Sequence, residues 1–394
     1  MNNTKRYSLY VAAFILGALF VSLWAFPRST IAQYAADVVA LCAQAPSRSL
    51  CYDKEIPKLM DRGLSMEDTF AVTVLVQESD PSYVYCHVLG HILSEKETAK
   101  DPSKWVEVVR RAPSGLCSNG AIHGAFQERF RRESLPDAEI VELKPILQTI
   151  CRPEENWKPT HLEQATCTHA LGHLTMYITE ADIMKSLHVC DDVAINEQGY
   201  DFRQLCYDGV FMQLYQPLEP EDFALIEGGE VSKNERDAFC SSFSGERFTS
   251  CITESWPLYI DEIRTPRGTL AFCNPFQTDS KTFNRCLRNV SYILTVQFAF
   301  DQVKISEFCN GWPYEYRSIC FSSAATRFIE TDWRNTERAV SLCTRADDSA
   351  NSCFEELIVQ STYALRPKSK EALTLCDALP PPFRGQCLEK QGKR

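Results

Sequence analysis

Five of the seven histidines in this 394-residue chain fall in three short segments. These are Cys86-His87-Val88-Leu89-Gly90-His91, Cys117-Ser118-Asn119-Gly120-Ala121-Ile122-His123-Gly124 and Cys167-Thr168-His169-Ala170-Leu171-Gly172-His173. Residues four apart share one face of a helix, so His87 with His91, and His169 with His173, form two-toothed chelates for a metal ion. The middle segment offers Asn119 and His123 at the same spacing. A fourth segment, Cys206-Tyr207-Asp208-Gly209-Val210-Phe211-Met212, keeps the frame with Asp208 and Met212. The frame therefore reads as structural, with the histidines added to it.

If each motif opens the second helix of a repeat, His87, Asn119, His169 and Asp208 form one row across neighbouring helices. His91, His123, His173 and Met212 form the next row. Packed helices lie about 8–10 Å apart, close enough for imidazoles from adjacent helices to meet at one ion. Gly90, Gly120, Gly172 and Gly209 fall near one level, where a missing side chain lets helices approach or leaves room for a ligand. The expected ligands are His87, His91, His123, His169 and His173. Asp208, Glu95 and Asn119 are possible additions to the ion's surroundings. Such a set suits Zn, Fe, Cu or Mn, and an open position would activate water or dioxygen. The logic is similar to that of helical-repeat hydroxylases with a His-Glu di-iron centre, although the motifs differ. The competing reading has the histidines donating hydrogen bonds to loop carbonyls in a non-catalytic scaffold that binds protein partners. Met212 and Met176 would hint at copper, but six methionines in this length is ordinary and core packing explains them.

Other chemistries lack their signatures. There is no His-Glu-x-x-His, Gly-x-Ser-x-Gly or phosphate-loop motif. No Cys-x-x-Cys occurs, which argues against thiolate metal sites and covalent haem. A net charge of −11 without a basic cluster of the needed size argues against nucleic acid.

The elements that position the histidines are marked by 18 cysteines. They fall into successive short pairs: Cys42 with Cys51, Cys151 with Cys167, Cys190 with Cys206, Cys240 with Cys251, Cys273 with Cys286, Cys309 with Cys320, Cys343 with Cys353, and Cys376 with Cys387. Cys86 and Cys117 pair by elimination, while bonding between adjacent units is the alternative scheme. From Cys151 onward the first members recur at offsets of 39, 50, 33, 36, 34 and 33 residues. The last four resemble the period of tetratricopeptide-type helical arrays, without their signature residues. Each unit reads as a helix, a loop closed by a disulfide, and a second helix. Ser369 caps one helix, Pro380-Pro381-Pro382 halts it, and the chain re-enters a helix near Cys387. Closing a loop of ten to fifteen residues is worth roughly 2–3 kcal/mol per bond.

Lys5 and Arg6 precede an uncharged run from Tyr7 to Phe26, long enough to cross a bilayer and oriented with its N-terminus inside. A cleaved signal peptide is the rival reading. Either way the cysteines lie where disulfides persist, in the periplasm or outside the cell. Asn289-Val290-Ser291 would be a glycosylation acceptor only in a eukaryotic secretory pathway. The expected fold is all-α: a disulfide-stapled α-solenoid of two-helix repeats of about 33–39 residues with an N-terminal transmembrane helix. Residues 1–30 form the lipid-embedded anchor (through 7–26), 31–215 the histidine-bearing repeats, and 216–394 the remaining Cys-paired repeats. Exposed aromatics around Trp312-Pro313-Tyr314 would be either a binding rim or a cover for the groove between units.

Overall fold

A computed structural model describes residues 30–131, 134–195, 201–218 and 220–392. Among them the regular structure is helical throughout, with only two isolated β-bridges, Glu154 with Trp157 and Ile195 with Asp201. The segment 7–26 lies outside the described residues. Within them, no helix is long and apolar enough to cross a membrane.

All nine disulfides form in the pairing that proximity suggested. Eight join a short helix to the helix that follows it. Ser369 accepts from the backbone of Ala372 to open Lys370–Ala378, and after the prolines the chain resumes as Phe383–Lys390. Cys376 and Cys387 then fasten the two together. All the half-cystines but the partly buried Cys51 are buried alongside Leu, Phe and Ile side chains, so the bonds also fill core volume.

The longer second helices carry the fold. We label them α1 (His87–Lys100), α2 (Gly120–Phe130), α3 (His161–Ile178), α4 (Arg203–Tyr215), α5 (Gly245–Glu254), α6 (Ser280–Gln297), α7 (Tyr314–Thr331) and α8 (Ala350–Tyr363). Each packs on the next, and the shorter helices, such as Ile183–Val193 and Gln302–Asn310, cover them from outside. The row curls until its ends meet. Arg327 of α7 bonds the Tyr85 hydroxyl at 3.3 Å, just before α1, and Arg334 donates to Gln77 Oε1 at 2.6 Å. Tyr363 of α8 stacks on His161 of α3, with ring centres 6.3 Å apart. The concave side therefore forms a cavity of about 510 Å³ that opens to solvent.

One local feature departs from the expected register. The helix α3 begins six residues ahead of Cys167, because Thr160 and Glu163 close a reciprocal capping box. His169 and His173 consequently sit in mid-helix, whereas His87 begins α1. Trp312 is buried at 1% exposure, so it covers the groove between units rather than forming a rim. Asn289 lines the cavity from the middle of α6.

Candidate metal centre

The histidine helices approach unusually closely, and glycine is the reason. A Cβ on Gly120 would lie 2.2 Å from the carbonyl oxygen of His87, and one on Gly124 would lie 2.2 Å from that of His91. The same contact recurs between α3 and α4, where a Cβ on Gly209 would meet the His169 carbonyl oxygen at 2.1 Å. One on Gly172 would meet that of Cys206 at 2.1 Å. Real Cβ contacts never reach this value, so only glycine permits either helix pair to close. The backbone also bends to order at the start of α2: Cys117, Ser118 and Asn119 take φ of 49°, 50° and 57°. Three consecutive non-glycine residues in the left-handed region cost of order 1 kcal/mol or more each. The turn sets the Cys117 carbonyl 3.3 Å from His87 Nδ1.

Three histidines, His87, His91 and His123, present nitrogen atoms all within 4.8 Å of one another and can hold a metal ion. His169 and His173 join them: the His123 ring centre is 5.2 and 5.1 Å from those of His87 and His91, and 5.5 and 5.6 Å from those of His169 and His173. Within each chelating pair the Nε2 atoms face one another, at 3.1 Å for His87 and His91 and 3.2 Å for His169 and His173. This spacing is that of two imidazoles on one ion with bonds of about 2.0–2.1 Å.

The hydrogen bonds behind the rings decide which nitrogen is bare. Asp222, buried at 1% exposure, can only accept when ionised, so the Tyr177 hydroxyl donates to its Oδ1 at 2.7 Å. Tyr177 in turn accepts from Gln127 Nε2 at 3.2 Å, which leaves Gln127 Oε1 to accept from His91 Nδ1 at 2.7 Å. His173 Nδ1 donates likewise to Gln213 Oε1 at 2.8 Å, His87 Nδ1 to the Cys117 carbonyl, and His169 is held by the backbone of Leu205. With the N–H on the far side, the facing Nε2 atoms of His87, His91 and His173 carry unshared lone pairs. Two such lone pairs at 3.1 Å repel and make no hydrogen bond, and a cation placed between them relieves the conflict. His123 Nε2 is also buried without a partner.

All five rings are held neutral. Burial lowers His91 to about 4 and His169 to about 3, pushes His87 and His123 well below the ordinary imidazole range, and lowers His173. Neutral imidazole is the form that binds metal.

The other residues singled out from the sequence lie elsewhere. Glu95 is drawn into an ion pair with Arg131 at 2.7 Å, because the two side chains face each other in a nearly closed interface. The Asn119 amide oxygen accepts from the Gly115 backbone at 3.3 Å and steadies the left-handed turn. Asp208 lines the larger cavity beside Glu254. Burial raises it to about 6, and burial with the neighbouring Asp208 carboxyl raises Glu254 well above the carboxylate range. His188 is exposed. Met176 is buried in the core, but Met212 brings its Sδ to 3.3 Å from His169 Nε2.

Gln213, Tyr177 and Asp222 set the tautomers, yet the histidine spacing gives no hint of Gln213 or Asp222. Gln213 and Tyr177 share a signal, a polar side chain about one turn beyond a motif glycine on a mostly buried helix, whereas Asp222, on the short helix Pro220–Leu225, carries none. The cavity of about 510 Å³ adjoins His87, His123 and His169 on one side. Its far wall comes from the second half of the chain: Arg327, buried at 9% exposure over the Tyr292 ring, with Tyr292 donating to Glu330 at 2.8 Å. Burial lifts Glu330 to about 7. Compared with known protein families, curated proteins and solved structures, the chain matches none.

Proposed function

We propose that this is an extracytoplasmic metalloprotein whose five histidines, His87, His91, His123, His169 and His173, hold a transition metal beside a cavity for a small substrate. The observation that carries this reading is the pairing of Nε2 atoms at 3.1 and 3.2 Å, with His87, His91 and His173 fixed from behind by acceptors. Histidines serving only as packing would turn an N–H toward a carbonyl and leave no lone pairs facing one another. Zn, Fe, Cu and Mn all accept imidazole. The large cavity places Arg327, Tyr292 and the carboxyl groups of Glu330, Glu254 and Asp208 opposite the histidines. That combination suits metal-dependent oxidation or hydrolysis of a small molecule carrying polar groups. Nine disulfides fit an oxidising compartment. The basic flank and apolar run of residues 7–26 support attachment to the bilayer.

The test is elemental analysis of the full chain made in an oxidising compartment. Close to stoichiometric metal is expected, falling at least tenfold in His91→Ala and in His173→Ala. Less than about 0.2 ion per chain after supplying Zn, Fe, Cu and Mn would leave a protein-binding scaffold as the function.

A further inference from the structure

We infer that the centre is built for copper and is divided in two, with three imidazoles on one side and two imidazoles plus the thioether of Met212 on the other. The inference rests on the metal-centre reading above and goes further in naming the metal, its number and an additional ligand.

The two histidine pairs are completed differently. His123 joins His87 and His91 as a third nitrogen donor within 4.8 Å. Around His169 and His173 the third donor is sulfur: Met212 Sδ lies 3.3 Å from His169 Nε2, which is itself 3.2 Å from His173 Nε2. With its Nδ1 given to Gln213 Oε1, His173 turns a bare Nε2 toward His169 Nε2, which the Met212 sulfur approaches from the other side. Two ring nitrogens and a thioether sulfur therefore converge. Met212 borders both the large cavity and a pocket of about 20 Å³ between the histidines, and so it is placed at the centre rather than in the core.

Ligand chemistry selects the ion. A thioether is a soft donor that binds Cu(I) and contributes little to Mn, Fe(II) or Zn. Mn and Fe sites draw on carboxylates, and the carboxylate bordering the small pocket between the histidines, Asp222, is taken up by hydrogen bonds from Tyr177 and the Leu218 backbone, while Glu95 is paired with Arg131. The donors are all neutral, and the buried Arg327 guanidinium adds positive charge near His87. Desolvation cost rises steeply with ionic charge, so such a site favours a monovalent ion over a divalent one. His123, nearly equidistant from the two pairs, stands where it can serve the first half and separate it from the second.

The test uses the full chain with its disulfides intact, stripped of metal and titrated anaerobically with Cu(I) against a chromophoric chelator. Two Cu(I) per chain are expected, with one sulfur scatterer in the X-ray absorption spectrum. Met212→Leu should remove the sulfur signal and weaken one of the two ions at least tenfold while leaving the other, and zinc binding, within twofold. Met212→His should strengthen zinc binding without recovering the parent's affinity for Cu(I). A single ion per chain, or a Met212→Leu protein with unchanged Cu(I) affinity and no sulfur in the parent spectrum, would overturn the inference. Zinc bound more tightly than Cu(I) by parent and variant alike would leave the metal centre standing and remove only copper. Failure of every metal to bind would remove both.

Discussion

The His87/His91 pair and the His169/His173 pair are the same device built twice. Each sits four residues apart on one helix, each faces a glycine-bearing helix, and each has one ring held by a glutamine from that neighbour, at 2.7 Å for Gln127 and 2.8 Å for Gln213. They differ in what completes them: a third imidazole, His123, on one side and the Met212 thioether on the other. A repeated frame thus supplies position, and one substitution within the frame supplies chemical difference. The units beyond α4 keep the disulfides but carry no histidine, and their helices furnish the opposite wall of the cavity instead.

Acid should break both pairs, and with the largest effect. The folded protein keeps these rings neutral while the unfolded chain protonates them below about pH 6.5, so the unfolded state binds more protons and stability falls as pH drops. Metal-free protein should lose about 1.4 kcal/mol per pH unit for each histidine involved. The loss begins near pH 6.5 and continues to about pH 4 for His91 and about pH 3 for His169. Denaturant midpoints at pH 7, 6 and 5 measure it, and a flat profile would show the rings to be solvated.

Glycine replacement comes next and separates the pairs. Gly124→Ala should destabilise the protein by about 3 kcal/mol and disturb mainly His91, and Gly209→Ala should do the same at His169, because each Cβ would overlap a carbonyl oxygen. Thermal unfolding with metal titration reads both. Gln127→Leu and Gln213→Leu leave the donors in place but free the tautomer, so each should cost 10- to 100-fold in metal affinity with little change in stability. Equal effects would mark the halves as equivalent, whereas a larger one at Gln127 would reflect its link through Tyr177 to Asp222. Smallest of all, Glu95→Gln should leave metal content unchanged and cost at most about 1–2 kcal/mol, as expected for a partly buried ion pair outside the centre.

Much of this architecture was legible in the residues. Short cysteine spacings gave the pairing, since helix–loop–helix closure leaves neighbours within bonding distance, and four-residue histidine spacing gave the chelating pairs. The curl of the row was not legible, because it depends on contacts such as Arg334 with Gln77, 257 residues apart. Glu95 and Asn119 shared the right periodicity with the histidines, but periodicity fixes a face and not a partner, and Arg131 and the Gly115 backbone compete for them. Met212 looked like ordinary core for the complementary reason: only the position of its sulfur, beside an imidazole nitrogen, distinguishes it from Met176.

One disulfide breaks the pattern of the other eight. Cys86–Cys117 does not fasten a short helix to its successor but ties the beginnings of α1 and α2, next to His87. As free thiols these two cysteines would be stronger ligands for a soft ion than the imidazoles beside them, and would capture it on the nascent chain. On the metal-centre reading proposed above, oxidation of this pair should precede metal loading, because the bond removes both thiolates from competition with the histidines.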